Sequence, residues 1–164
     1  MKRSIVFCAF ALLLLASSSV AQNKVSGTIN CQKPDPSYTI EVGDRPGHVK
    51  VLHKQGCTYD QTTLGSEKVK DLTGVTSVDG YATKFSYTGV GTNTTEGGDK
   101  VFMTYQGAGA MKDGKPEGDH GTWSYTGGTG KLKGIKGKGT YKATYNADGT
   151  DTVTFEGEYE LPKQ

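Results

Sequence analysis

Apolar and polar residues alternate along most of this chain, and no stretch sustains the 3.6-residue spacing of a helix. The clearest case lies near the C-terminus, where Tyr141, Ala143 and Tyr145 share one parity with Gly137 and Gly139. Lysines and threonines fill the positions between them. A period of two residues is typical of strands that bury one face, so the pattern predicts an antiparallel β-structure.

The final hairpin can be predicted with its register. The sequence NADG interrupts the alternation, which resumes in the residues that follow. If Gly149 takes the left-handed position of a bulged turn, Tyr141 faces Phe155 on the apolar side of the hairpin. On the polar side Lys138 then faces Glu158, so that opposite charges pair across the exposed face.

Similar alternating segments, separated by turn residues, recur along the rest of the chain. Their number and spacing predict eight or nine antiparallel strands, which is typical of a small barrel or a sandwich. No linker or change of composition divides the chain, so we expect one domain over residues 22–164. The predicted strands cover residues 25–31, 38–42, 48–59, 81–91, 100–111, 120–126, 136–145 and 153–161, with a weaker one near residue 69.

Glycines favour the barrel over the sandwich. The chain has 24 glycines, and several fall inside predicted strands on the same parity as the apolar residues. Glycine in a strand interior marks a bend or a close approach of another group, and a small closed barrel needs such bends. We therefore predict an all-β fold, a single antiparallel β-barrel of eight to nine strands. The glycines concerned are Gly107, Gly109, Gly121, Gly137 and Gly139.

Residues 1–21 have the pattern of a secretory signal peptide. Lys2 and Arg3 precede an apolar run that is too short for a stable membrane anchor, and Ser19 and Ala21 are the small residues of a cleavage site. We expect a secreted or periplasmic protein, without membrane attachment once the signal is removed. Without Lys2 and Arg3 the 19 basic residues fall to 17, which balance the 17 acidic ones. A neutral chain lacks the positive charge that nucleic-acid binding draws on.

Two cysteines remain for the exported chain, because Cys8 lies in the signal peptide. In an oxidising compartment Cys31 and Cys57 are expected to form a disulfide. A metal site would need further ligands at close spacing, and neither a CxxC nor an HxxxH arrangement accompanies His48 and His53. We therefore expect a disulfide rather than a metal site, and no cofactor.

The segment GGTGKLKG, residues 127–134, has the glycines and lysines of a phosphate-binding loop. Such a loop requires Ser or Thr after its lysine and a helix behind it, whereas Lys131 is followed by Leu132 and then by a strand pattern. The parity of the apolar residues shifts between Leu132 and Ile135, which predicts a bulge or a tight turn at Gly134. We expect no binding of nucleotides or nucleic acid.

The same GGTGKLKG segment, followed by a strand with alternating glycines, resembles the corresponding turn of dirigent proteins and allene oxide cyclases. The longer segments YTGGTGKLKGIKGKGTY and YTIEVGDRPGHVKVL resemble small uncharacterised bacterial secreted proteins. These resemblances imply the eight-stranded antiparallel barrel that the two named families share. No catalytic residue of either family can be placed on this sequence, so the resemblance assigns no reaction.

The sequence GDRPGH gathers Asp44, Arg45 and His48 on one predicted loop. A carboxylate beside an imidazole can transfer protons, so these residues form a candidate catalytic cluster. The alternative is structural, an Asp–Arg pair that fixes the connection between two strands. His53 shares a parity with the apolar residues of its own strand, which leaves a structural role and a role in a cavity both open.

Large apolar side chains, most of them aromatic, share one parity across several predicted strands. The nine tyrosines bring more hydroxyl groups than the packing of a core requires, and hydroxyl-tipped rings suit a cavity with a few polar groups. The interior is therefore either a ligand cavity or a filled core. The candidate cavity residues are Tyr81, Phe85, Met103, Tyr105, Trp123, Tyr125, Tyr141 and Phe155.

Three classes of function fit this sequence. The first, which we adopt, is a non-catalytic barrel that binds a small apolar or aromatic ligand. The second is an isomerase or cyclase of the allene oxide cyclase type, which would need an inward carboxylate, and only Asp151 interrupts the apolar face of its strand. The third is an extracellular structural or interaction module with a filled core. The sequence leaves the oligomeric state open, including a homo-oligomer.

Overall fold

The computed structural model describes residues 22–162. The predicted signal peptide lies outside these residues. Between residues 22 and 162 no helix is long and apolar enough to cross a membrane. The described chain forms β1 (Asn23–Cys31), β2 (Ser37–Glu41), β3 (Val49–Asp60), β4 (Thr63–Leu64), β5 (Glu67–Gly80), β6 (Lys84–Thr95), β7 (Lys100–Lys112), β8 (Lys115–Gly128), a turn of 3-10 helix (Gly130–Leu132), β9 (Lys136–Tyr145) and β10 (Asp151–Glu160).

Eight of these strands close into an antiparallel barrel. The order around it is β1, β10, β9, β8, β7, β6, β5, β3 and again β1. Most neighbours follow one another in sequence, so hairpins connect them, while β1 pairs with both β10 and β3. The extra strand β2 pairs with β3 beyond the end of β1, and the two-residue β4 pairs with β5. The predicted all-β barrel is confirmed.

The structure differs from the prediction at β5 and β6. β5 is a 14-residue strand rather than a weak one near Val69. Its inward positions include Gly74 and Thr76, which are small or polar and hide the alternation from the sequence. β6 begins at Lys84, so Tyr81 lies in the turn before it and not on a strand.

The register of the final hairpin is as predicted. Tyr141 pairs with Phe155, and Lys138 pairs with Glu158. Gly149 has a φ of +86° in the turn, a conformation that glycine adopts without strain. On the outer face Lys138 Nζ lies 3.9 Å from Glu158 Oε1.

A small apolar core closes one end of the barrel, and the segment GGTGKLKG contributes to it. This segment folds into the 3-10 turn, and Gly134 follows with a φ of +77°, which confirms the predicted tight turn. Lys131 Nζ lies 2.8 Å from Glu67 Oε1, and β9 follows where a phosphate-binding loop would have a helix. The side chains of this core, at most 1% exposed, are Leu64, Val101, Leu132 and Ile135.

A disulfide joins Cys31 at the end of β1 to Cys57 on β3, as predicted. The two residues are direct cross-strand partners, and their Cα atoms lie 4.0 Å apart. Beyond Cys31 the chain leaves β1 and then pairs with β3 again as β2. The disulfide therefore fixes the point at which the partner of β3 changes from β1 to β2.

Removal of the disulfide should destabilise the barrel far more than removal of an exposed ion pair. Cys31 and Cys57 are 26 residues apart, and the chain-entropy model gives about 3.5 kcal/mol for a loop of that size. The Cys31→Ala/Cys57→Ala variant should lose about that free energy of unfolding in urea titrations, whereas Lys138→Ala should lose less than about 1 kcal/mol. Equal losses for the two variants would contradict this role of the disulfide.

Candidate functional site

The interior of the barrel holds a cavity of about 680 Å³. This volume lies in the range of small-molecule pockets. The exposed residues Lys115, Asn146 and Ala147 line its mouth at the β7–β8 and β9–β10 turns. Seven of the eight candidate cavity residues line it, namely Phe85, Met103, Tyr105, Trp123, Tyr125, Tyr141 and Phe155.

Tyr81 is the candidate that lies elsewhere. Its ring stacks on the His48 ring with a centroid distance of 4.5 Å, and the Arg45 guanidinium lies 5.1 Å from the Tyr81 ring centroid. The sequence prediction gave Tyr81 the inward parity of a strand that begins three residues later, at Lys84. The parity of β6 therefore does not apply to it.

Aromatic rings lie directly against glycines on the inner wall of the barrel. A Cβ atom at Gly89 would collide with the ring of Tyr105. A Cβ atom at Gly139 or Gly157 would come within 2.6 Å of Trp123 Cζ2. The rings use space that the side chains of larger residues would otherwise fill, which leaves the centre of the barrel open.

A chain of hydroxyl groups leads to a buried carboxylate in the cavity wall. Tyr141 Oη donates to Tyr87 Oη at 2.7 Å, and Tyr87 Oη donates to Asp119 Oδ1 at 2.8 Å. Tyr145 Oη donates to the other oxygen of Asp119, which is 7% exposed. Burial, together with the charge of Asp119, raises the pKa of the Tyr87 and Tyr145 hydroxyls. Both hydroxyls therefore remain protonated and act as donors to the carboxylate.

A second carboxylate, Asp151 at the start of β10, lines the same cavity. Its side chain is 8% exposed, and Gln55 Nε2 donates to Asp151 Oδ1 at 2.5 Å. Burial raises the pKa of Asp151 to about 6, the Gln55 hydrogen bond opposes this shift, and the charge of Asp119 adds to it. Asp151 therefore gains or loses its charge close to neutral pH.

Sequence reasoning identified Asp151 as an inward residue but missed Asp119. The predicted strand began at His120, one residue too late to include it. β8 begins at Lys115, and the parity of its inward residues extends through Gly121 to Asp119. Extending the alternation by one more inward position, from Gly121 to Asp119, would have found this carboxylate.

The polar cluster predicted in the β2–β3 loop is brought together, but its residues do not line the cavity. His48 contacts a carboxylate through each ring nitrogen, Nδ1 with Asp44 Oδ1 and Nε2 with Asp79 Oδ1, the latter at 2.8 Å. The Asp44 hydrogen bond is the main cause of a raised His48 pKa. Arg45 Nε lies 3.1 Å from Asp44 Oδ2. Because Asp79 belongs to β5, the cluster ties the loop to the barrel wall, which favours its structural interpretation.

His53 lies on the cavity wall instead. Burial lowers its pKa below the ordinary histidine value, so the imidazole is neutral at pH 7. Within residues 22–162 no group of three or more His, Cys, Asp or Glu side chains could hold a metal ion. The polar chemistry of the cavity thus comes from its carboxylates, hydroxyls, amides and one neutral imidazole.

No protein-family model matches the chain, and no curated protein matches it in sequence. Solved structures do match it. A protein of unknown function from the DUF3224 family of Shewanella oneidensis MR-1 is 18% identical, with a TM-score of 0.53, and the match covers 88% of this chain and 100% of that one. The pterocarpan synthase dirigent protein PsPTS1 is 14% identical, with a TM-score of 0.53, and the match covers 88% of this chain and 97% of that one.

A second pterocarpan synthase dirigent protein, GePTS1, is 12% identical with a TM-score of 0.52, over 95% of this chain and all of that one. The chain has a dirigent-like barrel fold. At these identities the likeness shows the fold alone. It confirms the barrel that the resemblance of the GGTGKLKG segment implied.

Replacement of Gly89 by alanine should destabilise the dirigent-like barrel. The new methyl group would push the Tyr105 ring from the wall and break its 2.8 Å hydrogen bond to Thr76 Oγ1. We expect Gly89→Ala to lose about 1–3 kcal/mol of unfolding free energy in urea titrations. Gly56→Ala is the matched control, because a Cβ atom there meets nothing closer than 3.9 Å.

A double-mutant cycle isolates the contact between the ring and the glycine. In the Gly89→Ala background, Tyr105→Leu should cost less stability than it does in the unmodified protein, because there it also removes the collision that the new methyl group creates. Strictly additive losses, or equal losses for Gly89→Ala and Gly56→Ala, would show that Gly89 does not make room for Tyr105.

Proposed function

We propose that this protein is an exported barrel that binds a small, largely apolar or aromatic molecule in its cavity without transforming it. The observation that carries the proposal is the cavity itself, with a volume of about 680 Å³ and walls of aromatic and aliphatic side chains. Apolar walls with a few fixed polar groups are typical of small-molecule sites. An open interior of this size does not fit a module with a filled core.

Export is proposed from two observations. Residues 1–21 have the pattern of a signal peptide. The disulfide between Cys31 and Cys57 suits an oxidising compartment, either the periplasm or the extracellular space.

Binding without turnover is supported by the way the polar groups of the cavity are engaged. Asp119 accepts hydrogen bonds from two tyrosines, and Asp151 accepts one from Gln55. Two proteins with this fold are named pterocarpan synthase dirigent proteins, which supports a small-molecule ligand for the cavity but is not evidence against turnover. Only the association of the fold with small molecules is extended to this chain.

A second candidate function is an isomerase or cyclase that uses the same cavity. Asp151 favours it, because burial raises the pKa of this carboxyl to about 6 and a group of that kind can transfer a proton near neutral pH. Binding comes first in either case. The two functions differ in whether a bound molecule leaves the cavity changed.

The neutral fluorescent probe N-phenyl-1-naphthylamine tests the cavity directly. We expect its emission to rise on binding to the protein and to be abolished by Ala143→Phe, which adds a ring to the cavity wall. Ala108→Phe is the matched control, because Ala108 is exposed on the outer face of β7. Circular dichroism should show that both variants fold.

Probe binding that survives Ala143→Phe, or that Ala108→Phe also removes, would place the probe outside the cavity and contradict the proposal. Recovery of the probe chemically unchanged does not separate the two candidate functions, because the probe is not a substrate. Conversion of a natural bound molecule that stops in Asp151→Asn, with probe binding intact, would favour the isomerase or cyclase.

A further inference from the structure

The two carboxylates in the cavity wall have no positively charged partner among residues 22–162. Asp119 accepts from two tyrosine hydroxyls and Asp151 from an amide, and all of these donors are neutral. The ion pairs of the described chain lie elsewhere. A buried carboxylate is costly unless an opposite charge compensates it. The cavity wall therefore carries negative charge that no side chain of residues 22–162 compensates.

The other ionisable nitrogen groups that line the cavity do not neutralise this charge. Lys115 is exposed at the mouth and takes part in none of the ion pairs of the described residues. His53 is neutral at pH 7 because burial lowers its pKa. The cavity wall thus keeps its negative charge at the end nearest the mouth.

Asp151 also keeps one oxygen available to a ligand. Gln55 donates to Asp151 Oδ1, whereas the described residues provide no hydrogen bond to Asp151 Oδ2. The side chain is nevertheless 8% exposed and lines the cavity. Asp151 Oδ2 accepts no hydrogen bond from the described residues, so a cationic ligand that donates to it forms a charge-assisted hydrogen bond.

Aromatic rings surround the space beside the two carboxylates. The ring centroids of Phe85 and Tyr145 are 6.3 Å apart, and those of Tyr87 and Tyr105 are 6.4 Å apart. The π faces of such rings attract cations, and they do so more strongly where water is excluded. The carboxylates and the aromatic rings of this cavity therefore both favour a cationic ligand.

We propose that the molecule bound by this cavity is an organic cation, an amine with an apolar or aromatic body. Its ammonium group lies between Asp119 and Asp151, and its body extends toward Trp123 and Phe155. This inference rests on the proposed binding function and adds the charge of the ligand to it.

The pH dependence of binding follows from Asp151. Because burial raises the pKa of Asp151 to about 6, a proton competes with the ligand cation below that pH. Affinity for an amine should therefore fall as the pH is lowered from 7.5 to 5, whereas affinity for a neutral molecule should not. Gln55 on β3 donates to Asp151, and the titratable groups that share its cavity are Asp119 and Tyr125 on β8, Tyr87 on β6, Tyr105 on β7, Tyr141 and Tyr145 on β9, and His53 and Tyr59 on β3, with Lys115 at the mouth.

Three probes with one apolar body and different charges test the proposal by calorimetry. They are 4-phenylbutylamine, 4-phenylbutanol and 4-phenylbutyrate. At pH 7.5 the amine should bind at least 10-fold more tightly than the alcohol, and the carboxylate should bind most weakly. At pH 5 the preference for the amine should fall several-fold.

Neutral variants assign the preference to the two carboxylates. Asp151→Asn retains an acceptor for Gln55, and the Asp119→Asn/Asp151→Asn variant should bind the amine and the alcohol within 3-fold of each other. Asp113→Asn removes the same charge from an exposed turn near the mouth and should keep the preference. If Asp119→Asn fails to fold, Asp151→Asn alone should still reduce the preference several-fold.

The outcomes separate this inference from the proposed function. Equal binding of amine and alcohol by the unmodified protein, or tightest binding of 4-phenylbutyrate, would overturn the cation inference and leave the binding function standing. An undiminished preference for the amine in Asp151→Asn would also overturn it. If neither the three probes nor N-phenyl-1-naphthylamine binds, the proposed function fails and the cation inference fails with it.

Discussion

The packing of aromatic rings against strand glycines is the constraint on which the cavity depends. An eight-stranded barrel has an interior only just wide enough for side chains to fill it or to hold one small ligand. Here Tyr105 lies against Gly89, and Trp123 lies against Gly139 and Gly157. Because each ring uses the space left by an absent side chain, the volume near the barrel axis remains empty. Glycine on the inner wall therefore decides between a filled core and a binding site.

The two ends of the barrel have different chemistry. The closed end is an apolar core that includes Leu132 from the 3-10 turn, and the burial of its side chains stabilises the fold. The open end carries Asp119 and Asp151, whose burial is unfavourable in the empty protein. A bound cation would remove part of that cost, so ligand binding and stability are coupled through the same two residues.

Much of the fold was predictable from local pattern, and much of the site was not. The final hairpin followed from strict alternation and from Gly149, so Tyr141 and Phe155 could be paired in advance. The length of β5 was underestimated, because a glycine at an inward position, Gly74, adds nothing to the pattern of apolar residues. The cavity could not be distinguished from a filled core, because ring positions depend on which glycine faces which ring across strands. Asp119 was missed because the predicted strand began at His120, whereas β8 begins five residues earlier, at Lys115.

Native mass spectrometry of the protein, purified gently from its own source, tests the central claim that the cavity is a ligand site. The account predicts a population with the mass of the chain plus one small molecule, which collisional activation releases as a cation. Ala143→Phe protein prepared in the same way should lack that population. A bare chain mass throughout, together with a crystal structure whose interior is filled by its own side chains, would contradict the account.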